Sequence, residues 1–124
     1  MGLMSAVTGN ASEVNPEDVM ETIGPLLADG EEITKAYKMI RDFFVFTSSR
    51  VILVDIKGAT GKKKNFKSIP YKNIISWTIE SAGLGFDDSE LELNIIGDEI
   101  IKKEFKKSIN IADVQSALAQ GILK

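Results

Sequence analysis

Cysteine and histidine are both absent from these 124 residues. Without cysteine there are no disulfides, thiolate metal ligands or thiol nucleophiles, and the compartment's redox state is left open. Without histidine the chain lacks the commonest metal ligand and the usual general base near neutral pH. Ser-His-Asp triads and zinc-hydrolase sites are therefore excluded, and only carboxylate, lysine or tyrosine chemistry remains. No run approaches the roughly 18 apolar residues that a membrane-spanning helix needs. The opening residues, MGLMSAVTGNASEV, carry no basic segment, so a secretory leader is not expected. Ala6 stands where a myristoylation signal needs Ser or Thr. The expected location is the cytoplasm, and the expected class is non-enzymatic, with no catalytic residue, metal ligand or cofactor.

Charge is present but segregated. The net charge is −3, from 15 Lys and Arg against 18 Asp and Glu. Up to Thr34 every charged residue is acidic: Glu13, Glu17, Asp18, Glu21, Asp29, Glu31 and Glu32. Between Ile56 and Ile79 every one is a lysine: Lys57, Lys62, Lys63, Lys64, Lys67 and Lys72. From Glu80 to Ile101 all are acidic again. Such blocks serve either as solvated faces of adjacent elements or as complementary surfaces, the acidic face of one subunit meeting the basic loop of the next.

The length fits one globular unit over residues 31–124, preceded by an arm and helical extension over 1–30. Asn15-Pro16-Glu17-Asp18 is a helix start, with a cap, a proline at the first helical position and acids at the positive end of the dipole. Val19, Ile23, Leu26 and Leu27 form its apolar stripe, Gly24-Pro25 should kink or split it, and Asp29-Gly30 ends it. Strands are then expected over 32–40, 43–47, 51–56, 66–71, 74–80, 91–95 and 100–106, with Arg41-Asp42, Ser48-Ser49 and Gly97-Asp98 as turns. Val51–Ile56 is apolar on both faces, which calls for cover on both, by the sheet interior and by a helix or a neighbouring subunit. Pro70 places the 66–71 strand at an edge or a bend. Ile75, Trp77 and Ile79 read as one inward face. Leu91, Leu93 and Ile95, alternating with Glu90, Glu92 and Asn94, form the most regular strand pattern. Asn110 caps a final helix, with Asp113 at the capping-box position and Ile111, Val114, Leu118 and Ile122 as its stripe. The fold class is mainly β with helices: about seven antiparallel strands in a barrel or sandwich, capped by a C-terminal helix.

Several segments sharpen this. Phe46-Thr47-Ser48-Ser49-Arg50-Val51-Ile52-Leu53-Val54-Asp55 resembles the "FTnkRlilvD" pattern of bacterial pleckstrin-homology (PH) domains. Gly58-Ala59-Thr60-Gly61-Lys62-Lys63 resembles their "GltGKK" loop, and Ser68-Ile69-Pro70-Tyr71-Lys72-Asn73-Ile74 their "SiPYksI" strand. Glu80-Ser81-Ala82-Gly83 and Gly9-Asn10-Ala11-Ser12 are similar too, so the likeness spans nearly the whole chain. Lys57 departs from the pattern, which has Gln there. The resemblance implies a single PH-like barrel and a homo-oligomer, a ring of identical subunits with a pentamer as one candidate size. It supplies no catalytic residue.

The candidate interaction loop is Lys57, Lys62, Lys63, Lys64 and Lys67, with Lys38 and Arg41 as weaker candidates on the first hairpin. That hairpin lacks the basic cluster of inositol-lipid-binding PH domains, since Asp42 offsets its two cations. Attachment of the 57–67 loop to anionic membrane lipid is the alternative to a protein partner, and no exposed aromatic anchor is expected nearby. Nucleic-acid binding is not expected, because one short basic stretch makes no continuous basic face. The loop is not a P-loop, because Gly-Lys-[ST] is missing and it joins two strands. Asp87/Asp88 and Asp98/Glu99 lack calcium-loop spacing. Trp77, Tyr37, Tyr71 and the phenylalanines at 43, 44 and 46 read as packing residues.

Overall fold

Apolar residues on both faces of a strand force a three-layer arrangement, and strand Val51–Ile56 shows it. In the computed structural model, which describes residues 13–38, 42–58, 63–80, 89–106 and 109–123, the chain forms two antiparallel sheets. The first has the order β1 (Glu13–Val14), β2 (Ile33–Lys38), β3 (Asp42–Thr47), β4 (Arg50–Lys57) and β5 (Lys63–Pro70). The second contains β6 (Ile74–Glu80), β7 (Ser89–Ile95) and β8 (Ile101–Phe105). The strand beyond the expected seven is β1, two residues that add to β2 with Glu13 opposite Tyr37.

Alternation along β2, β3 and β4 divides the core. Tyr37, Phe44, Phe46, Val51 and Leu53 face the second sheet, joining Leu91, Leu93, Ile95, Phe105 and the buried Val114 and Leu118 of helix α2 (Ile111–Ile122). Ala36, Phe43, Val45, Ile52 and Val54 face the other way, against Val19 and Ile23 of helix α1 (Pro16–Ile23). The second face of β4 is thus covered by α1 of the same chain, so that strand needs no neighbouring subunit. Four aromatic rings, Tyr37, Phe44, Phe46 and Phe105, meet edge to face at centroid distances of 5.0–6.1 Å in the main core.

The helix ends follow local chemistry. Asn15 accepts from the Glu17 N–H, and Asn110 from the Ala112 N–H. The first helix stops at Ile23, and Gly24–Leu26 forms a 3-10 turn, as Pro25 requires. That break turns Leu26 out of the stripe, leaving it 41% exposed.

Two strand details differ from the alternation. A bulge leaves Ile75 without a cross-strand partner between Ile74, opposite Ile95, and Ser76, opposite Asn94. Ile74 is therefore buried, Trp77 and Ile79 pack on the main core, and Ile75 is 61% exposed, outside the inward face. The β7–β8 turn closes through the Asp98 N–H to the Ile95 carbonyl (3.2 Å), so its central residues are Ile96-Gly97, with Gly97 at φ 73°. It lies one residue earlier than Gly97-Asp98, because only the glycine fits the left-handed position.

The two sheets are tied at one end by charge. Register sets Asp42 directly opposite Asp55, and Lys103 of β8 reaches both carboxylates at 3.5 Å. Like charges so placed repel. Lys103→Met is expected to cost about 1 kcal/mol, and Asp55→Asn in that background to recover part of it, as read by a urea-denaturation double-mutant cycle.

Candidate functional site

The lysine stretch is a hairpin of two strands, where the sequence suggested a loop. The β4–β5 ladder runs out to Lys57 opposite Lys63, with Ile56 opposite Lys64 and Leu53 opposite Lys67. Pairing extends this far because lysine chains on an edge strand project into water and place no packing demand on the ladder. Lys57, Lys63 and Lys64 are exposed. Lys67 is committed elsewhere, its Nζ donating to Asp98 Oδ2 at 2.7 Å, and this bond holds the Asp98 carboxyl below its usual pKa. Lys38 is only 9% exposed and sits over the Phe43 ring, 4.8 Å from its centroid. Lys62 and Arg41 lie outside the described residues, as do the expected arm 2–12 and the loop 82–88.

One apolar residue joins the hairpin. Phe66 shares the face of Lys64 and is 38% exposed, so an aromatic anchor does stand beside the lysines. The cause is position: Phe66 pairs with Val54, whose face α1 covers, but lies one strand further out, at the sheet edge.

A polar network underlies the opposite end of β4. Arg50 donates through Nε to Glu31 Oε2 (2.9 Å) and through Nη2 to Glu31 Oε1 (3.0 Å) and to the Leu26 carbonyl (2.7 Å). Its Nη1 donates to Ser68 Oγ at 2.9 Å. Glu31 also accepts from the Thr47 hydroxyl and the Ala28 N–H, and its side chain is 3% exposed. Led by the Arg50 hydrogen bonds, and against its own desolvation, these contacts lower its pKa from 4.5 to about 2. Thr47 Oγ1 in turn accepts from the Ser49 and Arg50 N–H groups, forming the β3–β4 turn. The network joins the end of α1, that turn and β5. Sequence reasoning placed none of these residues in a cluster, because Glu31 and Arg50 are 19 positions apart.

Beside it lies a cleft of about 290 Å³ between α2 and the start of β2 with the β3–β4 turn, lined by Thr34, Lys35, Ser48, Tyr71, Ser116 and Gln120 among others. Tyr71 forms part of its wall, its hydroxyl donating to the Thr47 carbonyl at 2.7 Å, and burial pushes its pKa up, so the phenol stays neutral. No group of three or more acidic side chains suited to a metal ion occurs among the described residues. Nothing in this arrangement indicates catalysis. Among the described residues, no helix is long and apolar enough to cross a membrane.

Comparison with known proteins decides the family. The model of the bacterial PH domain matches residues 2–122. The chain belongs to the bacterial PH domain family. This PH domain is similar to the uncharacterized protein YjqA of Bacillus subtilis, with 45% identity over 121 residues, 96% of this chain and 97% of that protein. It is also similar to the crystal structure of a DUF1696 family protein with a pleckstrin-homology domain from Shewanella loihica. There the TM-score is 0.84 and the identity 42%, over 92% of this chain and 98% of the other. For the pleckstrin homology domain from Shewanella amazonensis the TM-score is 0.78 and the identity 44%, over 99% and 100% of the two chains. The β-sandwich and closing helix of this PH domain are therefore those of its relatives.

Proposed function

We propose that this PH domain is a non-catalytic interaction module of the cytoplasm that assembles with copies of itself, as a ring, and offers its basic hairpin to acidic protein surfaces. The observation that carries this reading is the β4–β5 hairpin. In a chain of net charge −3, Lys57, Lys63 and Lys64 are exposed and have no acidic partner among the described residues. Charge left unpaired while acids are in excess suits a surface whose partner lies on another molecule. Native mass spectrometry at micromolar concentration is expected to give a multiple of the chain mass, and a lone monomer overturns the self-assembly.

Phe66 supports a second reading, peripheral attachment to anionic lipid. An exposed aromatic ring beside Lys64 supplies the apolar contact that lysines alone lack, each lysine adding about 1 kcal/mol near an acidic surface. Co-sedimentation with phosphatidylserine vesicles at low salt, abolished by Phe66→Ser with Lys64→Glu, is the result this reading requires.

A further inference from the structure

Besides the Asp42/Asp55 pair that Lys103 bridges, strand register sets like charges against one another at two places, and these two have opposite sign. On the second sheet Glu80 is directly opposite Glu90, and Glu90 is directly opposite Glu104. The three carboxylates therefore form one row across β6, β7 and β8. They point outward, since their neighbours Ile79, Leu91 and Phe105 pack on the main core. Directly opposed side chains stand about 5 Å apart, and like charges so placed are destabilising. The row nearest it on the same face is compensated, with Lys102 Nζ 3.8 Å from Glu92. The glutamate row has no ion pair or hydrogen bond among the described residues.

At the β4–β5 hairpin the sign is reversed. Lys57 and Lys63 are directly opposed on one face and make no ion pair among the described residues; the acid nearest along that face of β4, Asp55, is taken by Lys103. Lys64, the next residue, projects from the other face, with Phe66.

We propose that the Glu80–Glu90–Glu104 row of one copy docks on the Lys57/Lys63 pair of a second copy. This rests on the self-assembly reading above and assigns its two surfaces. Both partners are strand-pair rungs with the same spacing of about 5 Å, so each lysine meets a glutamate without rearrangement of either backbone. Each contact offsets three like-charge oppositions that the isolated chain retains, two in the glutamate row and one in the hairpin. Because the surfaces differ, the contact is head-to-tail. A dimer leaves one row and one lysine pair unmet, whereas a closed ring satisfies every copy.

The test is charge reversal followed by complementation, read by multi-angle light scattering and native mass spectrometry. Lys57→Glu/Lys63→Glu and, separately, Glu80→Lys/Glu104→Lys are each expected to raise the concentration needed for assembly by about tenfold or more. A chain carrying all four reversals, in which the row and the hairpin pair again differ in sign, is expected to recover the wild-type multimer. Lys64→Glu carries the same charge change per site on the wrong face and is expected to assemble as the wild type does. Should a variant fail to fold by circular dichroism, the wild type decides: its assembly is expected to weaken as NaCl rises from about 0.05 M to about 1 M. A wild type that assembles while both double variants assemble equally well overturns the assigned surfaces and leaves self-assembly standing. So does a four-reversal chain that stays dissociated, a Lys64→Glu variant that dissociates equally, or assembly indifferent to salt. A wild type that is monomeric throughout overturns both.

Discussion

Gly121→Ala is expected to destabilise the PH domain by about 1–3 kcal/mol, the range for overpacking a well-filled site. In an exposed helix the same change stabilises by up to about 1 kcal/mol, because glycine is a poor helix former. Here the added Cβ would stand 2.4 Å from the Tyr71 ring, well inside contact distance. Neither side yields readily. Tyr71 is buried and anchored by its hydroxyl to the Thr47 carbonyl, and α2 is fixed through Val114 and Leu118, both at 0% exposure. Since the clash is with ring carbons, Tyr71→Phe should not relieve it. Tyr71→Leu, which removes the ring atoms, should make the Gly121→Ala penalty much smaller, although it lowers stability by itself. Urea denaturation of the two single variants and the double variant measures that coupling. A Gly121→Ala protein as stable as the wild type would show that α2 can slide away from Tyr71.

Acid is expected to erode stability through Glu31. Its carboxyl has a native pKa of about 2 against 4.5 unperturbed. The native state therefore holds the proton less tightly than the unfolded chain, and falling pH favours unfolding. The contribution is fully present above pH 4.5 and is lost as the pH falls through about 2. A shift of that size corresponds to about 3 kcal/mol. Glu31→Gln keeps an acceptor for the Ala28 N–H but removes the charge facing Arg50. It should lower stability at pH 7 by about 3 kcal/mol and flatten the pH dependence between about pH 5 and 2. Arg50→Met should do at least as much damage, because it strands a carboxylate whose side chain is 3% exposed. Urea midpoints measured across that pH range check both, and an unchanged slope for Glu31→Gln would refute the assignment.

These two sites differ in how far the sequence announces them. Tyr71 stands in the motif that resembles the family pattern, and Gly121 looks like a misplaced helix breaker. Nothing in one dimension says that they touch. Glu31 and Arg50 each read as an ordinary surface charge beside a turn. Their bond exists because the α1–β2 connection folds back over the β3–β4 turn, where Glu32 and Ser48 also bond through their backbones at 2.8 Å.

The lysine hairpin shows the same division. Its composition and its two flanking strands are legible from alternation and turn residues. Which lysines are free is not, because Lys67 is taken by Asp98, 31 residues away, and Lys38 is packed over Phe43. Likewise Glu80, Glu90 and Glu104 are scattered acids until register aligns them.

Period-2 and helical patterning, caps and turn residues determined the elements and the identity of most core positions, because those signals are local and each is repeated several times along the chain. The family came from the resemblance of the Phe46–Asp55, Gly58–Lys63 and Ser68–Ile74 segments to its pattern. The tertiary structure alone decided that α1 covers the second face of β4, that a bulge turns Ile75 outward, and which charges meet. Each of those outcomes depends on the register and packing of segments far apart in sequence, and a single-residue shift reverses the face a side chain occupies.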